Sequence, residues 1–192
     1  MTTVYFIRHA QSDSTVGDAF LRPLTPKGMK DRSLVTKFLE DKKIDFAFSS
    51  PYQRAIDTIQ EFTDKHGLDL QIVHDLREHE TISDNYCDEE YFPFIQRYWE
   101  DKTYKVPGDE SILDLQTRNI QVLKQIIKTC ENKNIIIGTH GMALSAIINY
   151  YDEKYGYEDF LAMVKLKPWV VKMTFDGLQH TAIEYINLFE MD

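Results

Sequence analysis

Cysteine is scarce in this chain: Cys87 and Cys130 can close at most one disulfide, and neither lies in a close cysteine and histidine cluster of zinc spacing. A reduced, cytoplasmic protein is the expectation. Long apolar runs are missing too, since none approaches the roughly 20 residues a membrane helix needs. The first residues enter a strand-like run without a basic segment and a long apolar stretch, so no secretory signal is expected. Positive charge is in deficit, with 22 Lys plus Arg against 31 Asp plus Glu and a net charge of -9. That balance opposes broad attraction to nucleic acid or an anionic membrane. An anionic ligand therefore needs a local basic pocket.

Several catalytic signatures are absent as well. His79-Glu80 opens like a zinc-protease motif, but Ser83 stands where the second histidine belongs. A phosphatase cysteine needs an arginine six residues on, where Cys87 meets Pro93 and Cys130 meets Ile136. The chain has no Gly-x-Ser-x-Gly elbow, no Walker-type loop and no Asp-x-Asp pair.

What is present is a core's worth of apolar residues, 43% of 192, enough for one domain spanning residues 1–192. Short strand-like runs, Thr3 to Ile7, Phe46 to Ser49, Leu70 to Val73 and Asn134 to Ile137, alternate with helical periodicities such as Ala55, Ile59, Phe62 and Leu113, Ile120, Leu123, Ile127. The alternation predicts an α/β fold of three layers, a mostly parallel central sheet with helices on both faces. Val170 to Phe175 and Thr181 to Ile186 flank Asp176-Gly177, which predicts a C-terminal hairpin at the sheet edge.

The most informative stretch is Val4-Tyr5-Phe6-Ile7-Arg8-His9, where a core strand ends in a cation and an imidazole. The second run leads into Ser49-Ser50-Pro51 with Arg54 a turn later, the third into Arg77-Glu78, and the fourth into Thr139-His140-Gly141. In a parallel sheet these endings share one edge, the place where open α/β sheets bind ligands. Ser50 as N-cap and Pro51 as first helical residue predict a helix directly after the second strand, and Gly141 opens another. Their free N–H groups, with Arg8 and Arg54, suit a phosphate.

These residues resemble the histidine phosphatase superfamily, which includes the cofactor-dependent phosphoglycerate mutases. Arg8-His9-Ala10-Gln11-Ser12 stands where that family has Arg-His-Gly, and Leu24-Thr25-Pro26-Lys27-Gly28 is similar to its turn into the first helix. Ser49-Ser50-Pro51-Tyr52-Gln53-Arg54-Ala55, Leu76-Arg77-Glu78 and Thr139-His140-Gly141 follow in the family's order. The resemblance implies that His9 attacks phosphorus to give a phosphohistidine, and that Arg8, Arg54 and His140 hold the phosphoryl oxygens. Glu78 would protonate the leaving oxygen and then activate water, with Glu80 as a rival on position. It implies no metal and no cofactor, since side-chain cations carry the charge. Ala10 replaces the family glycine, at a cost on the order of 1 kcal/mol if that position needs a positive φ. The family's asparagine after the motif is missing, and Thr15 stands near its place as a substrate-binding candidate; Arg22 is another.

The function expected is a metal-independent phosphatase acting on a small phosphomonoester. The alternatives are a phosphoglycerate mutase, a protein phosphohistidine phosphatase, and a phosphate-recognising module without catalysis. Residues 79–109 are expected to form the cap or specificity segment, its aromatics Tyr86, Tyr91, Phe92, Phe94, Tyr98 and Trp99 packing rather than stacking on a base. His66, His74 and His180, and the charges Arg97, Lys102 and Lys105, are read as ordinary surface groups, and the oligomeric state is left open.

Overall fold

A computed structural model describes residues 1–79 and 88–191. In chain order the elements are β1 (Thr2–Arg8), α1 (Pro26–Leu39), β2 (Phe46–Ser49), α2 (Gln53–His66), β3 (Leu70–Ile72), α3 (Asp88–Glu100), α4 (Ile112–Thr129), β4 (Asn134–Thr139), α5 (Gly141–Tyr151), α6 (Tyr157–Val164), β5 (Trp169–Asp176) and β6 (Gln179–Ile186). Short 3-10 turns lie at His74–Leu76 and Leu188–Glu190. The six strands form one sheet in the order β3-β2-β4-β1-β5-β6. The first four are mutually parallel, and β5 and β6 close the far side as an antiparallel hairpin, with Gly177 at φ +55 in its turn.

Alternation along β1 distributes the core. Val4 and Phe6 belong to the cluster containing Leu123 of α4 and Ala143 of α5, whereas Tyr5 and Ile7 belong to the one containing Val35 of α1 and Ile59 of α2. Helices therefore cover both faces, and the central strands are apolar on both sides. Among the described residues no helix is long and apolar enough to cross a membrane.

Strand pairing also runs further than the apolar runs suggest. Arg8 pairs with Thr139 on one side and Trp169 on the other, so β1 and β4 continue into their polar ends. His9 N–H still reaches the Thr139 carbonyl at 3.0 Å, and Ser50 N–H the Gly138 carbonyl at 3.0 Å. The residues just past β1 and β2 are thus held by the sheet's own ladder.

The start of α2 differs from the sequence reading. Its N-cap is Tyr52, extended at φ -77 and ψ 131, and Pro51 lies outside the helix. Ser50 Oγ still accepts Tyr52 N–H at 3.3 Å, but it also contacts His140, and Gln53 N–H is taken by the Phe20 carbonyl. The extended Tyr52 sets its ring against Phe20, His140 and the Arg54 guanidinium. On α4, Leu113 is exposed rather than part of the apolar face, which at that end runs through Ile112 and Leu115.

Helix α1 begins where the sequence places its turn. Thr25 Oγ1 accepts Gly28 N–H at 3.0 Å, and Pro26 follows the cap. Gly28 packs so closely on the loop after β1 that an added Cβ would lie 2.1 Å from the Gln11 carbonyl oxygen. Gly28→Ala is expected to lower stability by about 1–3 kcal/mol, seen as a lower urea midpoint at unchanged slope. An unchanged midpoint would contradict this packing.

Candidate active site

His9 is buried at the end of β1, and its two ring nitrogens have different surroundings. Nδ1 lies 2.7 Å from the Ala10 carbonyl, which can only accept, so Nδ1 carries the proton. Nε2 is then a lone pair, and Arg54 Nε–H donates to it at 3.2 Å. Burial, followed by the charges of Arg54 and Arg8, pushes the His9 pKa well below the ordinary 6.5. The result is a neutral imidazole with one nitrogen oriented by backbone and the other, unprotonated, accepting from Arg54.

Ala10 fits without strain. Among the described residues the only non-glycine positions with positive φ are Lys43 and Asn132, so the expected cost at Ala10 is absent. Its N–H donates to Thr58 Oγ1 at 3.0 Å, and Thr58 in turn donates to the Arg54 carbonyl, which ties the histidine loop to α2.

His140 lies behind His9, with ring centroids 5.4 Å apart, and is fully buried. Burial, then Arg54, His9 and Arg8, hold its pKa well below 6.5. Its Nε2 is 2.6 Å from Ser50 Oγ, while Nδ1 is buried without a hydrogen-bond partner. The Ser50 hydroxyl can donate to Nε2 while its oxygen accepts from Tyr52 N–H, and in that tautomer Nδ1–H is an unused donor.

Arg8 is anchored rather than mobile. One terminal nitrogen donates to the carbonyls of Met163, Val164 and Leu166 at 2.7, 3.0 and 3.0 Å, at the carboxyl end of α6. A cation is favoured at that end of a helix. Burial lowers its pKa to about 10, with Glu78 opposing, so it stays charged near neutrality. Its Nε is buried and has no partner.

Glu78 occupies the opposite kind of helix end. Its Oε1 accepts Ala143 N–H at 2.8 Å and His79 N–H at 2.9 Å, and its Oε2 accepts Met142 N–H at 3.1 Å. The amino end of α5 therefore holds the acid instead of offering free N–H groups to a ligand, which corrects the sequence reading of that helix. At the start of α2, Gln53 N–H is likewise occupied, by the Phe20 carbonyl.

A cavity of about 320 Å³ opens beside these groups, lined by Arg8, His9, Arg54, Glu78, Arg22 and Lys167 among others. Tyr91 and Phe92 of α3 form part of its wall, with Phe160 and Val164 of α6. His140 sits behind this lining. Thr15 is not brought to the cavity: its hydroxyl donates to Asp13 at 2.6 Å on the exposed loop. Arg22 is, with Nε on the Val16 carbonyl at 3.2 Å. Arg77 turns away to Asp75, while Glu80, Ser83, Tyr86 and Cys87 lie outside the described residues.

Lys167 and Ser12 are cavity residues the sequence reading did not single out. The signal for Lys167 was present in the hairpin: β5 runs antiparallel to β1, so its beginning falls at the same sheet edge as Arg8. A second cavity, about 390 Å³ and lined by Tyr155, Met163, Leu166, Trp169 and Tyr185 among others, holds none of the candidate reacting groups.

Together these features define an α/β protein in which buried guanidinium groups stand beside a neutral, buried imidazole. The chain belongs to the histidine phosphatase superfamily (branch 1), whose family model matches residues 4–179. It is 28% identical over 160 residues, 77% of each chain, to the putative phosphoserine phosphatase 2 of Hydrogenobacter thermophilus. Its fold is similar to that of Entamoeba histolytica phosphoserine phosphatase in complex with 3-phosphoglyceric acid, with a TM-score of 0.77 at 18% identity over 96% of both chains. It is also similar to a mycobacterial glucosyl-3-phosphoglycerate phosphatase complexed with VO3, with a TM-score of 0.75 at 18% identity over 96% of this chain and 98% of that one.

The two depressed histidine pKa values set a pH dependence of stability. Below about 6.5 the unfolded chain binds protons at His9 and His140 that the folded chain does not, so stability falls as the pH drops from there toward the folded values. The slope reaches up to about 1.4 kcal/mol per pH unit for each histidine. Urea unfolding between pH 7 and 5 should show a steeper loss for the wild type than for His9→Ala; equal slopes would contradict a neutral buried His9.

Proposed function

We propose that this protein is a metal-independent phosphatase that hydrolyses a small phosphomonoester in two steps through a phosphohistidine on His9. The observation that carries the reading is the unprotonated Nε2 of His9 set among buried donors, Arg8 Nε and His140 Nδ1, that have no acceptor. A phosphoryl group supplies the missing acceptors and puts phosphorus within reach of the nitrogen.

In the first step Nε2 attacks phosphorus, the bond to the leaving oxygen breaks, and that oxygen takes a proton from Glu78. Oε1 already accepts two N–H groups and Oε2 one, so Oε2 has room for the proton. In the second step Glu78 takes a proton from water, the water oxygen bonds to phosphorus, and His9 leaves unchanged. Arg8 and Arg54 offset the negative charge on the transferring oxygens, and this electrostatic contribution dominates phosphoryl transfer. His140 serves as a neutral donor to the same group.

The cavity has more positive side chains than a phosphate alone requires. Phosphoserine and 3-phosphoglyceric acid, the ligands named for the relatives, each carry a carboxylate beside the ester. A phosphorylated small acid of that kind suits Arg22 and Lys167. The segment 79–109 is the proposed specificity element, supported by Tyr91 and Phe92 in the cavity wall. A cytoplasmic site of action belongs to the same reading, supported by the scarcity of cysteine and the free, buried thiol of Cys130.

Activity against a panel of phosphoserine, phosphoglycerates, sugar phosphates, nucleotides and phosphopeptides should persist in excess EDTA. His9→Ala is expected to lose about 10⁴-fold or more in kcat. Loss of activity in EDTA, or full activity in His9→Ala, would overturn the reading. Vanadate binding without turnover of any substrate would favour a recognition module instead.

A further inference from the structure

We propose that Arg118, paired with Glu110, is a positioning residue that holds Glu78 at the cavity; the inference rests on the reading of Glu78 as the acid and base. Arg118 lies on α4, away from the cavity lining. All five of its N–H donors are used. Nε–H and one N–H of the second terminal nitrogen grip the Glu110 carboxylate at 2.6 and 2.8 Å. The first terminal nitrogen reaches the carbonyls of Asp75 and Arg77 at 2.8 and 2.9 Å, and the second reaches that of Glu78 at 2.9 Å.

The contacts fall on the segment where the sheet gives no support. β3 ends at Ile72, six residues before Glu78, and the intervening chain is a single 3-10 turn and irregular backbone. Three carbonyls in that stretch point to one planar guanidinium, whose geometry a flexible ammonium cannot reproduce. From the other side, His79 Nε2 lies 2.5 Å from the Glu110 carbonyl, and His79 N–H binds the Glu78 carboxylate. Glu78 is thus fixed by its backbone through Arg118 and by its side chain through α5. Displacement by about 1 Å can cost about 10²-fold in rate.

Arg118 and Glu110 each keep only 12% of their side-chain surface exposed. Removing one leaves the other as a poorly solvated charge, whereas replacing both by apolar residues avoids that penalty. The double variant Arg118→Met/Glu110→Met therefore separates positioning from folding. Arg118→Lys keeps the charge opposite Glu110 and loses the planar fork, which provides a second measurement.

The test is single-turnover phosphorylation of the enzyme by phenyl phosphate, whose leaving oxygen needs a proton, and by 2,4-dinitrophenyl phosphate, whose leaving oxygen does not. Glu78→Gln serves as reference. The double variant, folded by circular dichroism, is expected to lose about 100-fold with phenyl phosphate and under about threefold with the dinitrophenyl ester, as Glu78→Gln does. Arg118→Lys should show the same bias with a loss of about 10-fold. Equal losses on both esters, or a wild-type ratio in both variants, would overturn the proposal. If Glu78→Gln itself lacks the bias, the reading of Glu78 as the acid fails, and the positioning role falls with it.

Discussion

Two helix ends sort the charges on which the site depends. Arg8 gives its protons to the carbonyls that close α6, and Glu78 takes protons from the N–H groups that open α5. Each charge meets the helix pole of opposite sign. A guanidinium and a carboxylate can thus stand close to the same cavity without collapsing onto each other, because backbone groups already hold one terminal nitrogen of Arg8 and both oxygens of Glu78. Neither would keep its place if the two helices were exchanged.

Between those poles the imidazoles stay neutral. Burial disfavours their protonated forms, and the flanking guanidinium charges add to that effect. The backbone then selects the tautomer of His9, since the Ala10 carbonyl accepts a hydrogen bond from Nδ1–H. His9, Arg8 and Glu78 are consequently set by main-chain partners, which is the kind of rigidity that the proposed phosphoryl transfer requires. Thr58 and Arg118 extend the same arrangement outward, one to the loop after β1 and the other to the segment that carries Glu78.

The sequence allowed much of this to be read, for identifiable reasons. Strands buried on both faces announce themselves as short apolar runs, and polar residues at their ends stand out because a core excludes them. Hence Arg8, His9, Arg54, Glu78 and His140 were singled out, and the hairpin followed from Asp176-Gly177. What could not be read was where a polar group spends its hydrogen bonds. Ser50 was expected as the cap of α2, yet its hydroxyl faces His140, and the helix starts after Tyr52. The amino end of α5 was expected to bind a ligand, yet it holds Glu78. Thr15 was a candidate because it stands near the place of the family's asparagine, but its loop turns it to Asp13. Arg118 gave no local pattern, because three of its partners are carbonyls 40 or more residues away in sequence.

The most direct test of the central claim is rapid quenching of a turnover into alkali, followed by locating the phosphoryl group on the protein by mass spectrometry and ³¹P NMR. Phosphate bonded to Nε2 of His9 is the result this geometry predicts, since Nδ1 is occupied by the Ala10 carbonyl. Phosphate on Nδ1, on another residue, or on no residue during full turnover would contradict it.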